Sequence, residues 1–501
     1  MSKKIKSTTN NTQQAFWVAL ASLVTFSFGI LSAAVLSRYL SKIDYGTYKQ
    51  VLFIYSTLLV VFTLGLPKAY SFFLPRVELS QAKNAIKKIT NIFFVLGGIF
   101  SILLYLSAGS IADLLRNDQL ELAIKIFSPV PFFMLPTMGI EGIFSCYRKT
   151  HLSTIYTLCT RVFMLLCMVI PVILFKTTYI GALIGFTVAS FFTFLAALYL
   201  KYLPVKNYGN QESNLSYHSI FSFSFPVMYA SIWGIIEISS SQFFISRYFG
   251  TEKFAEYANG AIELPIVGMV LGATSAVLSP IFSRMSHEKV DLKVELYPLW
   301  IRVFEKSSML TYPFLAFCII FAEEIMVLLY GLSYAQSAVY FQIFNIYYFF
   351  TKIVYGPYLV NTGRQKLYAN AHMYSVFILI PFQFLFLKIF NNPISLVIVA
   401  LFIKVCRTIF FLNIIASDFK CSIVKLLPVS MMFKIIVGVF FIGLVSKYIL
   451  LDILNLTGIY LVVVGGFSYL FFYSLFAYFF KIDYISILKP LLTKKFKKMS
   501  Q

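Results

Sequence analysis

Runs of about twenty apolar residues recur along this chain from end to end, and no other feature limits its fold so tightly. A run of that length crosses a ~30 Å hydrocarbon core as a helix. Inside such a core every backbone N–H and C=O must be satisfied by the chain itself, which leaves helices and closed barrels. A β-barrel would show short alternating segments instead. Charge content agrees: 12% of the 501 residues are charged, about half the share in a soluble protein. The sequence specifies an all-α polytopic membrane protein.

Segmenting by apolar runs gives fourteen spans, near 15–37, 50–66, 90–108, 122–145, 152–175, 179–200, 219–243, 255–282, 299–322, 336–361, 367–388, 393–416, 430–450 and 456–480. The longest connections are 67–89, 201–218 and 283–298, none large enough to fold alone. The polar N-terminus leads into a span too long for a signal h-region, so the first span is expected to be retained. With a cytoplasmic N-terminus, and bases near span ends assigned to the flanks, 28 Lys and Arg fall inside and 10 outside, whereas the acids split 8 and 9. Only the bases are biased, as the positive-inside rule describes. Both termini are expected in the cytoplasm, and the +22 net charge needs no nucleic acid to explain it. The tail "KPLLTKKFKKMSQ" reads as an anchor on anionic membrane lipid. The six cysteines show no CxxC pairing and are expected to be free thiols.

One polar phrase is repeated. "VLSRYLSKIDYGTYKQ" joins spans 1 and 2, and "FISRYFGTEKFAEYANG" joins spans 7 and 8. Ser37, Arg38, Tyr39 and Tyr48 recur as Ser246, Arg247, Tyr248 and Tyr257 at an offset of 209. "FFLPR" ending at Arg76 resembles "PIFSR" ending at Arg284, and "YRKTHLSTIY" resembles "GRQKLYANAHMY". Matches in order at nearly constant offset indicate two homologous six-span halves, related by an axis along the membrane normal because six is even. The expected organisation is an N-terminal lobe (1–200), a cytoplasmic linker (201–218), a C-terminal lobe (219–417), and residues 418–501 holding spans 13 and 14 with the basic tail.

Helix breakers punctuate the spans: "GLPKAY" closes span 2, Pro129, Pro131 and Pro136 lie in span 4, and Pro226 in span 7. Span 8 holds Pro265 and Pro280, and span 10 holds Gly356–Pro357. Ionisable residues inside spans each cost at least ~2.5–3.5 kcal/mol at the bilayer centre, so they are candidates for function. The bases are Arg161, Lys352, Lys404 and Arg407. The acids are Glu141, Glu237 and Glu263, read as coupling carboxylates or ion-pair partners. Four bases against three acids suit an anionic substrate such as a phosphate or pyrophosphate. No P-loop, HExxH, GxSxG or metal-spaced His/Cys cluster occurs, so neither an enzyme activity nor a metal or cofactor is expected.

These features resemble the Wzx-like O-antigen flippases, polysaccharide-transport proteins of the MATE-like multidrug/oligosaccharidyl-lipid/polysaccharide (MOP) exporter superfamily. The resemblance rests on "LSRYLSKIDYGTY", with Asp44-Tyr45-Gly46-x-Tyr48 after span 1, on "GLPKAYSFFLPR", on "FSFPVMYASIW", and on the short-looped spans. In the second loop Ala255-Glu256-Tyr257 replaces the family's Gly-x-Tyr. Gln242 stands where members often carry an acid, with Glu237 more than a turn earlier. The resemblance implies two six-helix lobes around a cavity in a bacterial inner membrane. It also implies an undecaprenyl-pyrophosphate-linked oligosaccharide as cargo for O-antigen, capsule or exopolysaccharide synthesis, with glycan polymerase or assembly proteins as further partners. Arg161, Lys352, Lys404 and Arg407 would meet the diphosphate. Three alternatives stay open: a peptidoglycan-precursor (lipid II) flippase, a MATE-type drug antiporter, which should show an acid-dominated cavity, and a membrane glycan polymerase or ligase, which would need a large external loop.

Overall fold

A computed structural model describes residues 11–288, 296–350 and 355–484. The chain divides into two compact units, Met1–Ala258 and Asn259–Gln501. Among the described residues thirteen helical segments are long and apolar enough to cross a membrane. The expected span 336–361 is present as two helices flanking residues 351–354, which lie outside the described residues.

The first unit contains α1 (Asn11–Tyr39), α2 (Lys42–Thr63), α3 (Pro67–Phe73), α4 (Ala82–Leu115) and α5 (Gln119–Phe127). It continues with α6 (Val130–Met134), α7 (Ile140–Cys146), α8 (Thr150–Leu174), α9 (Tyr179–Tyr202) and nearly all of α10 (Tyr217–Gly260). α1 packs along α8, and α8 along α9. The breakers act as expected. Leu64 and Gly65 adopt left-handed conformations (φ 49° and 72°), ending α2, and Pro67 restarts the chain as α3 at a position where its missing N–H costs nothing. Span 4 becomes α5, α6, a 3₁₀ turn at Leu135–Thr137 and α7, with Gly139 at φ 76° before α7.

Lys201 fixes these short pieces. It is fully buried near the end of α9, and its ammonium donates to the Tyr70 hydroxyl of α3 at 2.9 Å. That hydroxyl is 2.7 Å from Thr90 of α4.

Residues 203–216, expected to be a linker, are fastened to the start of α4. Lys88 donates to the carbonyls of Ser213 (2.9 Å) and Leu215 (3.0 Å). Asn84 accepts from the Ser213 amide and hydroxyl, and the Gln211 amide donates to Ser80. This segment carries no regular ladder, so its backbone groups find partners on the helix beside it.

The second unit contains α11 (Pro265–Glu288), α12 (Tyr297–Ile320), α13 (Ala322–Tyr330), α14 (Ser337–Phe350), α15 (Tyr355–Asn361) and α16 (Gln365–Phe390). After these come α17 (Pro393–Asp418), α18 (Ile423–Leu426), α19 (Val429–Tyr448) and α20 (Gly458–Phe479). α16 packs on α17, and α12 packs on α14 and α19. Phe282, Trp300, Tyr358, Phe411 and Phe419 form an aromatic core at one end of the unit. All six cysteines are free.

Candidate functional site

The repeated phrase meets itself within the first unit. Ser41 caps α2: its hydroxyl accepts from the Asp44 amide (3.0 Å) and donates to the Asp44 carboxylate (2.8 Å), placing an anion on the positive end of the helix. Its counterpart is a sharp break rather than a long loop: the helical path of α10 is interrupted at Gly250 (φ 84°, ψ 176°). Gly46 packs against Thr251 so closely that a methyl group there would lie 2.5 Å from the Thr251 carbonyl oxygen. Lys42 pairs with Glu256 at 2.5 Å, and Lys253 meets the same carboxylate at 2.9 Å. Further along, Gln50 donates to Ser246 (2.7 Å) and Thr57 lies 2.8 Å from Ser239. Arg247 donates to the Asp113 carbonyl at 2.9 Å, Arg38 ends α1 exposed, and Tyr257 is buried. Polar and small residues hold helices together in lipid, where apolar attraction between them is weak. The motif is a packing device.

Arg161 sits on α8 between two cavities of the first unit. The smaller, 270 Å³, is bordered by Thr25 and Ser32 of α1, Tyr48 and Lys49 of α2, and Arg161. The larger, 480 Å³, lies where α3 and α7 break, and is bordered by Lys68, Ser71, Glu141, Thr160 and Arg161. Three bases and one acid therefore line the two cavities. No carboxylate stands within ion-pairing distance of Arg161 among the described residues. Counted by formal charge, bases outnumber acids in this lining three to one.

The structure thus gathers Arg161 and Glu141, both singled out by sequence, into one cavity. Lys404 and Arg407 lie on α17 in the second unit, Lys404 5.2 Å over the ring of Tyr347 and Arg407 only 7% exposed. Glu237 is buried on α10, and Glu263 lies between α10 and α11. Lys352 lies outside the described residues. The expected bounds of span 2, 50–66, left Lys49 before it and Lys68 after it, both in loops. The helix in fact starts at Lys42, which sets Lys49 two turns inside it. The Ser41–Asp44 capping pattern was the signal that could have moved the boundary.

The sequence pattern of the family described as "Polysaccharide biosynthesis protein" matches residues 35–339, well over half of the chain. The chain belongs to that family. No curated protein matches the chain. Among solved structures, the polysaccharide biosynthesis chain is similar to the lipid II flippase MurJ in an inward closed conformation. The TM-score is 0.68 at 13% identity, covering 95% of this chain and 100% of that one. It is also similar to a multidrug resistance MATE family transporter of the MOP superfamily in an inward-facing conformation (TM-score 0.63, 11% identity, 81% and 99% covered). A MOP superfamily transporter from Pyrococcus furiosus, whose binding pocket is described as of reverse polarity, matches at TM-score 0.58 and 14% identity, with 82% and 96% covered. At these identities the likeness establishes the fold alone, one shared with MurJ and with the MATE transporter.

Proposed function

We propose that this polysaccharide biosynthesis protein is a flippase. It would move an undecaprenyl-pyrophosphate-linked oligosaccharide from the cytoplasmic to the outer leaflet of a bacterial inner membrane by alternating access. The observation that carries this reading is the base-dominated lining around Arg161, with Lys49 and Lys68 against the single carboxylate of Glu141. A diphosphate needs such a lining, and a cationic drug needs the opposite one. Arginine offers a planar fork for bidentate phosphate contact and Lys49 adds a point charge. The start of α3 and the broken stretch from α6 to α7 line the larger cavity, as irregular backbone in a membrane does where it borders a polar space.

Lipid II flippase activity is the second reading. The MurJ likeness spans 95% of the chain, against 81% for the MATE transporter, and lipid II is also a lipid-linked diphosphate. Two measurements separate the readings: accumulation of lipid-linked glycan on the cytoplasmic side of a depletion strain, and rescue of a strain lacking its lipid II flippase. Stalled glycan export without rescue supports the first reading; rescue with normal glycan export overturns it.

A further inference from the structure

We propose that a cleft at the end of α17, remote in sequence from the Arg161 cavities, binds a phosphate-bearing anion. The cleft has a volume of 640 Å³ and is bordered by Tyr297, Ser417, Lys420, Cys421, Ser422 and Lys425. That volume falls among ordinary ligand pockets and exceeds what a bare phosphate fills. Its lining holds two ammonium groups, three hydroxyls and no carboxylate.

The neighbouring acid is already committed. Asp418 receives both Arg364 N–H groups at 2.7 Å and the Tyr358 hydroxyl at 2.9 Å. Neither Lys420 nor Lys425 makes an ion pair or a side-chain hydrogen bond among the described residues. Two like charges facing one cleft repel each other, and an anion between them removes that repulsion.

The rim is built rather than loose. The Tyr297 hydroxyl donates to the Lys425 carbonyl at 2.6 Å, and the Trp300 indole donates to the Leu426 carbonyl at 3.2 Å. Phe419 and Leu426 are fully buried in the aromatic core beneath. By the distribution of bases the end of α17 faces the cytoplasm. There a phosphate comes from one of two sources, the headgroup of an anionic phospholipid or a soluble phosphate or diphosphate.

The test uses the full-length protein in a neutral detergent. Thermal unfolding is followed while titrating dioctanoyl-phosphatidylglycerol, dioctanoyl-phosphatidylcholine or sodium pyrophosphate. A saturable shift with phosphatidylglycerol but not phosphatidylcholine is expected. The Lys420→Gln, Lys425→Gln double variant should weaken it roughly thirtyfold, and each single variant about fivefold. The Lys→Arg pair should restore it, and Arg161→Gln should leave it unchanged, which separates this site from the proposed cargo site. The same dependence on both lysines with pyrophosphate alone also supports the site and assigns its ligand to solution. Equal binding by wild type and the double Gln variant, or no saturable response to either anion, overturns the proposal. Both lysines are exposed, so their replacement should not prevent folding.

Discussion

Lys42 and Glu256, 214 residues apart, form an ion pair of 2.5 Å in which the carboxylate is 3% exposed. One belongs to the first copy of the repeated phrase and the other to the second. The two segments that carry the repeated phrase are therefore in direct contact, and Glu256 holds Lys253 as well.

Removing that carboxylate leaves two lysines facing each other. Glu256→Gln should lower stability by about 1–3 kcal/mol, toward the lower end because Lys42 and Lys253 are partly solvated. Lys42→Gln combined with Glu256→Gln should recover part of the loss. Thermal unfolding in detergent reads both, and additive losses would show that the pair is not coupled.

Gly46→Ala should cost at least about 2 kcal/mol, because the new methyl would meet the Thr251 backbone, which has no rotamer to give. Gly98→Ala, whose nearest new contact is the Phe132 ring at 3.9 Å, serves as the control. It should be neutral or stabilising, since alanine is the better helix former. Equal effects at both positions would remove the close approach as the cause.

Arg161→Ala should abolish glycan export at normal protein abundance, and Arg161→Gln should be nearly as inactive, because charge-assisted hydrogen bonding is what disappears. Lys49→Gln should reduce export less, as it removes a point charge rather than a fork. Assays that pair export with membrane abundance decide the matter. Loss of protein in place of loss of export would make Arg161 a structural residue.

Asp418 ties Arg364 and Tyr358 together, and its hydrogen bonds hold the Arg364 guanidinium above its ordinary pKa. Asp418→Asn should destabilise by about 1–2 kcal/mol. Arg364→Lys should be nearly as harmful, because an ammonium cannot make the paired contact of 2.7 Å at both oxygens. Unfolding midpoints of the two variants test this, and a neutral Arg364→Lys would contradict it.

Sidedness is tested by thiol labelling in a cysteine-free background. Leu332→Cys, at a position 80% exposed, should react from outside, and Asn210→Cys from the cytoplasm. Asn117, in a connection expected outside, would be a poor probe, since it is buried and donates to Thr47 and Gln50. Labelling of Leu332→Cys only after the membrane is opened would reverse the orientation.

Helical class, the rough placement of the spans and the breaks at "GLPKAY" and Pro129–Pro136 were legible in the sequence alone, though boundaries such as the start of α2 were not. Lipid imposes helix on any long apolar run, and proline and glycine interrupt it through their own covalent geometry, so those signals are local. The family resemblance was legible too, from residues that cap and pack helices, such as Asp44 and Gly46. What the tertiary structure alone decided is which charges share a space. Arg161 and Glu141 were each marked only as charges inside a span; that they border one cavity, and that Lys49 and Lys68 join them, follows from α2 beginning at Lys42 and α3 packing beside α7. Lys201 looked like a loop base and proved a buried strut for Tyr70. Glu256 looked like a departure from a loop motif and proved the partner of Lys42. A charge's role depends on what stands within a few ångströms of it, and over two hundred residues of separation that distance is set by packing rather than by local sequence.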